Sequence, residues 1–81
     1  MIYLSLFKPK GKGEEAVKYL RELKAAEGVT IHGIYFTFGQ YDAAILFEAP
    51  NEKKAMAFVM EVGFATGYTV ETMAAVSAKE V

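Results

Sequence analysis

Gly33-Ile-Tyr-Phe-Thr-Phe-Gly-Gln-Tyr-Asp42 reads as one strand, a tight turn and the opening of a second strand. Gly39-Gln40 between the aromatic Phe38 and Tyr41 predicts a two-residue hairpin loop, with glycine in the first central position of a type II′ turn at little steric cost. In that register Phe38 faces Tyr41, and the pairs Phe36–Ala43, Ile34–Ile45 and His32–Phe47 follow along one strongly apolar face that belongs beneath a helical layer. The other face then carries Ile31, Gly33, Tyr35 and Thr37 beside Glu48, Leu46, Ala44 and Asp42, a mixture of apolar and hydrogen-bonding groups that suits a wet cavity or a subunit interface. A three-residue loop or a bulge would exchange the two faces.

Upstream of the hairpin, Ile2 to Phe7 is apolar and aromatic, as in a central strand covered on both sides. Lys8-Pro-Lys-Gly-Lys-Gly13 breaks that strand as a short basic loop and lacks the spaced Gly-Lys-Ser/Thr ending that cradles phosphates. From Glu14 the period becomes helical, with Ala16, Val17, Leu20 and Leu23 on one side, and Gly28 is placed to stop the helix in a left-handed cap. Val29 to Phe38 is the second strand and Asp42 to Glu48 the third. Pro50-Asn51 then ends the third strand and supplies an N-cap for a second helix, in which Ala55, Phe58, Val59 and Val62 recur at helical spacing. Met56 and Met60 along it read as pliable packing in a core or interface. Gly63 and Gly67 bracket the helix exit, and Tyr68 to Val76 returns to a strand before a polar tail, Ser77 to Val81.

The order strand, helix, strand, strand, helix, strand predicts an α+β fold, the ferredoxin-like βαββαβ arrangement, with two helices on one face of a four-stranded antiparallel sheet. The other face needs a cover, and Glu71 of the last strand with Tyr3 and Ser5 of the first is expected to share it. With 81 residues the chain is a single domain, 1–81, near the size at which a domain buries only roughly 60 to 65% of its unfolded surface. Its hydrophobic fraction of 53% exceeds the roughly 45 to 50% of an average domain. Such an excess in so small a chain predicts a second buried surface, through self-association as a homodimer or larger homo-oligomer, or an apolar ligand site.

The formal charge of -1 gives no field that would attract nucleic acid or anionic lipid. The absence of cysteine excludes a disulfide scaffold, a thiolate metal site and a cysteine nucleophile. Met1 to Phe7 is too short for a signal-peptide core and no stretch approaches a membrane span, so a soluble cytoplasmic protein is expected. No catalytic residue, metal site or cofactor motif can be named. His32 is the one histidine, and a lone histidine makes no metal site without carboxylate partners. Asp42 reads either as a strand-start residue satisfying local backbone donors or as a pocket-mouth carboxylate that holds a polar ligand group. Tyr3, Tyr35, Tyr41 and Tyr68 could stack on a ligand or pack in the sheet, and the basic-aromatic-glycine signature of an RNA-binding sheet is missing from Asp42 to Glu48.

Gly39-Gln-Tyr-Asp42, the run Gly33 to Phe38 before it, Phe47-Glu-Ala-Pro50 and Glu71-Thr72-Met73 resemble, in order and spacing, the GYD domain family, small proteins of the dimeric alpha-beta barrel superfamily. Two positions depart from that pattern: the first loop is shorter, and Gln40 stands where a basic residue is common. The resemblance implies a ferredoxin-like protomer whose open sheet face packs against a second copy, and no particular reaction. The spacing Thr37 to Asp42 is also similar to that in the effector-binding domain of leucine-responsive transcription regulators, where the turn lies near an amino-acid site between subunits. The expectation is therefore a homo-oligomeric small-molecule-binding or regulatory module, with ligand near Tyr35, Thr37, Gly39, Tyr41 and Asp42 at an interface. The alternative is a cofactor-free dimeric-barrel enzyme, a monooxygenase or isomerase for an apolar or aromatic substrate, with Asp42, Glu71 or His32 as acid or base.

Overall fold

The computed structural model describes residues 1–8 and 13–81. Its elements are β1 (Ile2–Lys8), α1 (Gly13–Arg21), β2 (Thr30–Phe36), β3 (Ala43–Glu48), α2 (Glu52–Thr66), β4 (Thr69–Ala75) and a short 3-10 turn, Ala78–Glu80. The strands form one antiparallel sheet in the order β2-β3-β1-β4, which is the ferredoxin-like arrangement. Of the expected basic loop, Pro9 to Lys12 lie outside the described residues, while Lys8 closes β1 and Gly13 opens α1.

One side of the sheet carries the core. Ala16 and Leu20 of α1 and Ala55, Phe58 and Val62 of α2 are buried against Tyr3, Phe7, Ala43, Ile45 and Phe47. Phe47 is fully enclosed, stacked on Tyr3 with ring centroids 5.5 Å apart and tilted against Phe58 at 4.9 Å. These pairings fall in the distance range where aromatic contacts add to simple area burial. The cap foreseen at Asn51 is formed, its Oδ1 accepting from the Lys54 N–H at 2.9 Å. At the other end Gly67, at φ 72°, closes α2 by donating its N–H to the Gly63 carbonyl. The first helix is shorter than its spacing predicts. The Leu23 N–H bonds back only three residues, to the Leu20 carbonyl, and this tightened turn ends α1 well before Gly28.

The faces of β1 are the reverse of the expectation. Tyr3, Ser5 and Phe7 point to the helices, and Ile2, Leu4 and Leu6 lie on the open side. Two polar contacts make this possible. Ser5 is fully buried but shares a 2.8 Å hydrogen bond with the Thr72 hydroxyl, and the Tyr3 phenol reaches Met1 Sδ at 3.6 Å. With those groups satisfied, placing them in the core carries no large desolvation cost, and Ile2, Leu4 and Leu6 are left on the open side.

The hairpin keeps its predicted parity with a different loop. Phe36 faces Ala43 and Ile34 faces Ile45, as the register argument requires. The loop, however, is wider than two residues: the Thr37 N–H donates to the Asp42 carbonyl at 2.8 Å, leaving Phe38 to Tyr41 outside the ladder. Phe38 projects fully exposed, and Gly39 has φ 137°, a conformation open mainly to glycine. Further along β2 the register slips between Ile31 and Gly33, so Ile31 rather than His32 stands opposite Phe47. This bulge overturns two expectations: Ile31 packs on the core, and His32 is moved out from under the helices to the open side.

Candidate functional site

The open face can be laid out from the strand registers. Its central rows are Gly33–Leu46–Leu4–Met73 and Tyr35–Ala44–Leu6–Glu71, each crossing all four strands in the order β2, β3, β1, β4. At one end of these rows Glu48 faces Ile2, which in turn faces Ala75, and His32 Nε2 pairs with Glu48 Oε1 at 2.9 Å. Both partners are about half exposed, so this pair contributes little stability in the single chain. The interior of the face is thus aliphatic, with one carboxylate at each end.

The hairpin end holds the polar cluster. Tyr41 reaches across the sheet and donates its phenol hydrogen to Glu71 Oε2 at 2.5 Å, joining the β2–β3 loop to edge strand β4. That bond stabilises the neutral phenol, and with some burial and the adjacent negative charge it raises the Tyr41 pKa above 10.0. Asp42 has its backbone engaged on both sides, donating from N–H to the Phe7 carbonyl and accepting from Thr37. Its carboxylate lies near the Tyr68 phenol, whose pKa is raised first by burial and then by this charge. The Tyr19 phenol, far from this cluster in sequence, is raised by burial and by Glu61.

The five residues singled out from the sequence fall into distinct roles. Tyr35 is 56% exposed on the open face with its ring folded back over Gly33, where a Cβ would stand 2.7 Å from two ring carbons. Glycine at 33 therefore lets the ring lie along the sheet as an apolar platform. Thr37 donates its hydroxyl to the Tyr41 carbonyl at 2.6 Å, so its side chain braces the loop. Gly39 supplies the loop's backbone conformation. Tyr41 brings a phenol that joins Glu71, whereas the Asp42 carboxylate acts on Tyr68, a residue of the core cluster. Of Glu71, Tyr3 and Ser5, expected together on this face, only Glu71 lies there, and its bond to Tyr41 depends on how far a loop residue reaches, for which the sequence has no marker. Among the described residues no group of three or more His, Asp or Glu side chains could hold a metal ion, and no helix is long and apolar enough to cross a membrane.

The raised phenols have a consequence at high pH. A folded pKa above the unfolded 10.0 contributes stability that is complete below that value and lost as pH climbs through the folded pKa. In an alkaline titration followed by tyrosinate absorbance, Tyr41→Phe is expected to remove one of the latest-ionising phenols. A variant curve that lost its amplitude near pH 10 instead would mean that the Glu71 bond does not hold in solution.

Comparison with curated proteins and with solved structures finds no match. A family model does match, over residues 6–81, nearly the whole chain. With the ferredoxin-like sheet and the hairpin already described, this places the chain in the GYD domain family.

Proposed function

We propose that the protein is a homo-oligomeric small-molecule-binding or regulatory module, in which a second copy covers the open sheet face and a ligand sits at its hairpin end. The Tyr41–Glu71 hydrogen bond carries this reading, because it sets a phenol and a carboxylate at the margin of an aliphatic surface. A small molecule with an apolar or aromatic body and one hydrogen-bonding group fits such a boundary. Tyr35 offers the body a ring, Asp42, Tyr41 and Glu71 offer the polar end its partners, and Thr37 and Gly39 shape the loop.

Surface area supports the second copy. The chain exposes 5718 Å² at a mass of 8.9 kDa, where a monomeric protein of that size exposes about 4,800 Å². The excess of about 900 Å² is close to what one partner buries in a standard interface, about 800 Å². Leu4, Leu6, Leu46 and Met73 are the groups that gain most from removal from water there.

A thermal-shift screen of amino acids and aromatic metabolites tests the ligand site. Compounds that raise the melting temperature of the wild type are expected to lose most of that effect with Asp42→Ala or Tyr41→Phe. Stabilisation that survives both substitutions undiminished would put the site elsewhere.

A further inference from the structure

The two helices share one side of the sheet but differ in their outer surfaces. α1 turns Glu14, Glu15 and Arg21 to solvent and is sharply two-sided. α2 buries Ala55, Phe58 and Val62 and yet exposes Met56 (61%), Met60 (49%) and Phe64 (80%), with Glu61 the one charged residue between Ala55 and Thr66. An exposed apolar stripe on the side of a helix away from its own core is the kind of surface a partner covers. Its exposed stripe continues into an open groove of about 420 Å³ against edge strand β4, walled by Val59, Tyr68 and Val70.

Charge placement identifies the cover. Lys53 and Lys54 occupy the first turn of α2, where the helix's own dipole disfavours cations, while its last turn has no basic residue. Glu52 in the same turn suits the helix's own dipole, whereas Lys53, on the same side as Met60 and Phe64, does not, and it is well placed for an antiparallel neighbour of the same sequence. We propose that the outer face of α2 is a self-complementary interface with a second copy of this chain, the two helices running antiparallel and crossing at Met60. That crossing sets Met56 against Phe64 of the second copy, a thioether on an aromatic ring, and brings Lys53 to the carbonyl end at Gly67 of the second copy. The interface is separate from the open sheet face. A chain using both self-complementary surfaces assembles beyond the dimer, into a tetramer where the two twofold axes cross at right angles and into longer stacks where they do not.

Light scattering on the wild type, Met60→Glu, Leu4→Glu and the double variant tests this, with far-ultraviolet circular dichroism to confirm folding. The expected masses are a tetramer or a larger assembly for the wild type, a dimer for each single variant and a monomer for the double. A wild-type dimer that Met60→Glu converts to monomer would support the helix interface and overturn the open-face one. A mass that Met60→Glu leaves unchanged would overturn the helix interface, whatever other protein or ligand the stripe then serves. Because the chain has no cysteine, Met60→Cys gives an independent readout with a short bis-maleimide. Covalent dimer is expected at least tenfold faster than with Glu15→Cys on the exposed side of α1, and equal rates would contradict the crossing at Met60.

Discussion

Phe47→Ala is expected to destabilise the protein by roughly 3 to 5 kcal/mol, enough to leave much of it unfolded at room temperature. Phe47 has no exposed surface and is held between Tyr3 of the neighbouring strand and Phe58 of α2, so truncation opens a cavity that neither ring can fill without leaving its own contacts. It is also the point where three elements, β1, β3 and α2, meet. Urea unfolding measures the effect, and Phe47→Leu, which refills most of the volume, is expected to recover a large part of it. A loss below about 1 kcal/mol for the alanine variant would show that the aromatic cluster is not the centre of this core.

Leu4→Glu is expected to act on assembly rather than on folding. Leu4 sits mid-sheet on the open side, between Leu46 and Met73, and in the single chain a longer polar side chain there can reach water. Buried against a second copy it would be an unpaired carboxylate at the centre of an apolar contact. A change at such a central position typically costs about 2 to 4 kcal/mol of association, or roughly a 30- to 1,000-fold rise in the dimer dissociation constant. Concentration-dependent sedimentation reads this directly. Unchanged dissociation would mean that the open face is not the covered one.

How far these features can be read from the residues alone depends on the range of the forces that set them. The order of elements follows from local periodicity, and all of them appear, because Asn51, Gly67 and the strand-to-helix changes of spacing act within a few residues. The β2–β3 pairing at Phe36–Ala43 and Ile34–Ile45 also follows, since widening the loop by a pair of residues preserves parity. The bulge at His32 does not, because no residue there demands it, and it reversed the sides of Ile31 and His32. In β1 both faces are apolar, so alternation assigns no side to Tyr3 and Ser5. Their burial depends on Thr72, which lies far along the chain. The same limit applies to the candidate site: Tyr41 and Asp42 stand out locally, whereas the bond to Glu71 crosses 30 residues of sequence and two strand boundaries.

If another copy of the chain covers the aliphatic side of this sheet, as proposed, the protein is at least a dimer in solution. The mass of the purified wild-type protein at micromolar concentration, measured by light scattering, tests it most directly. A dimer or a larger assembly is predicted, and a clean monomer would mean that no second copy covers the open face.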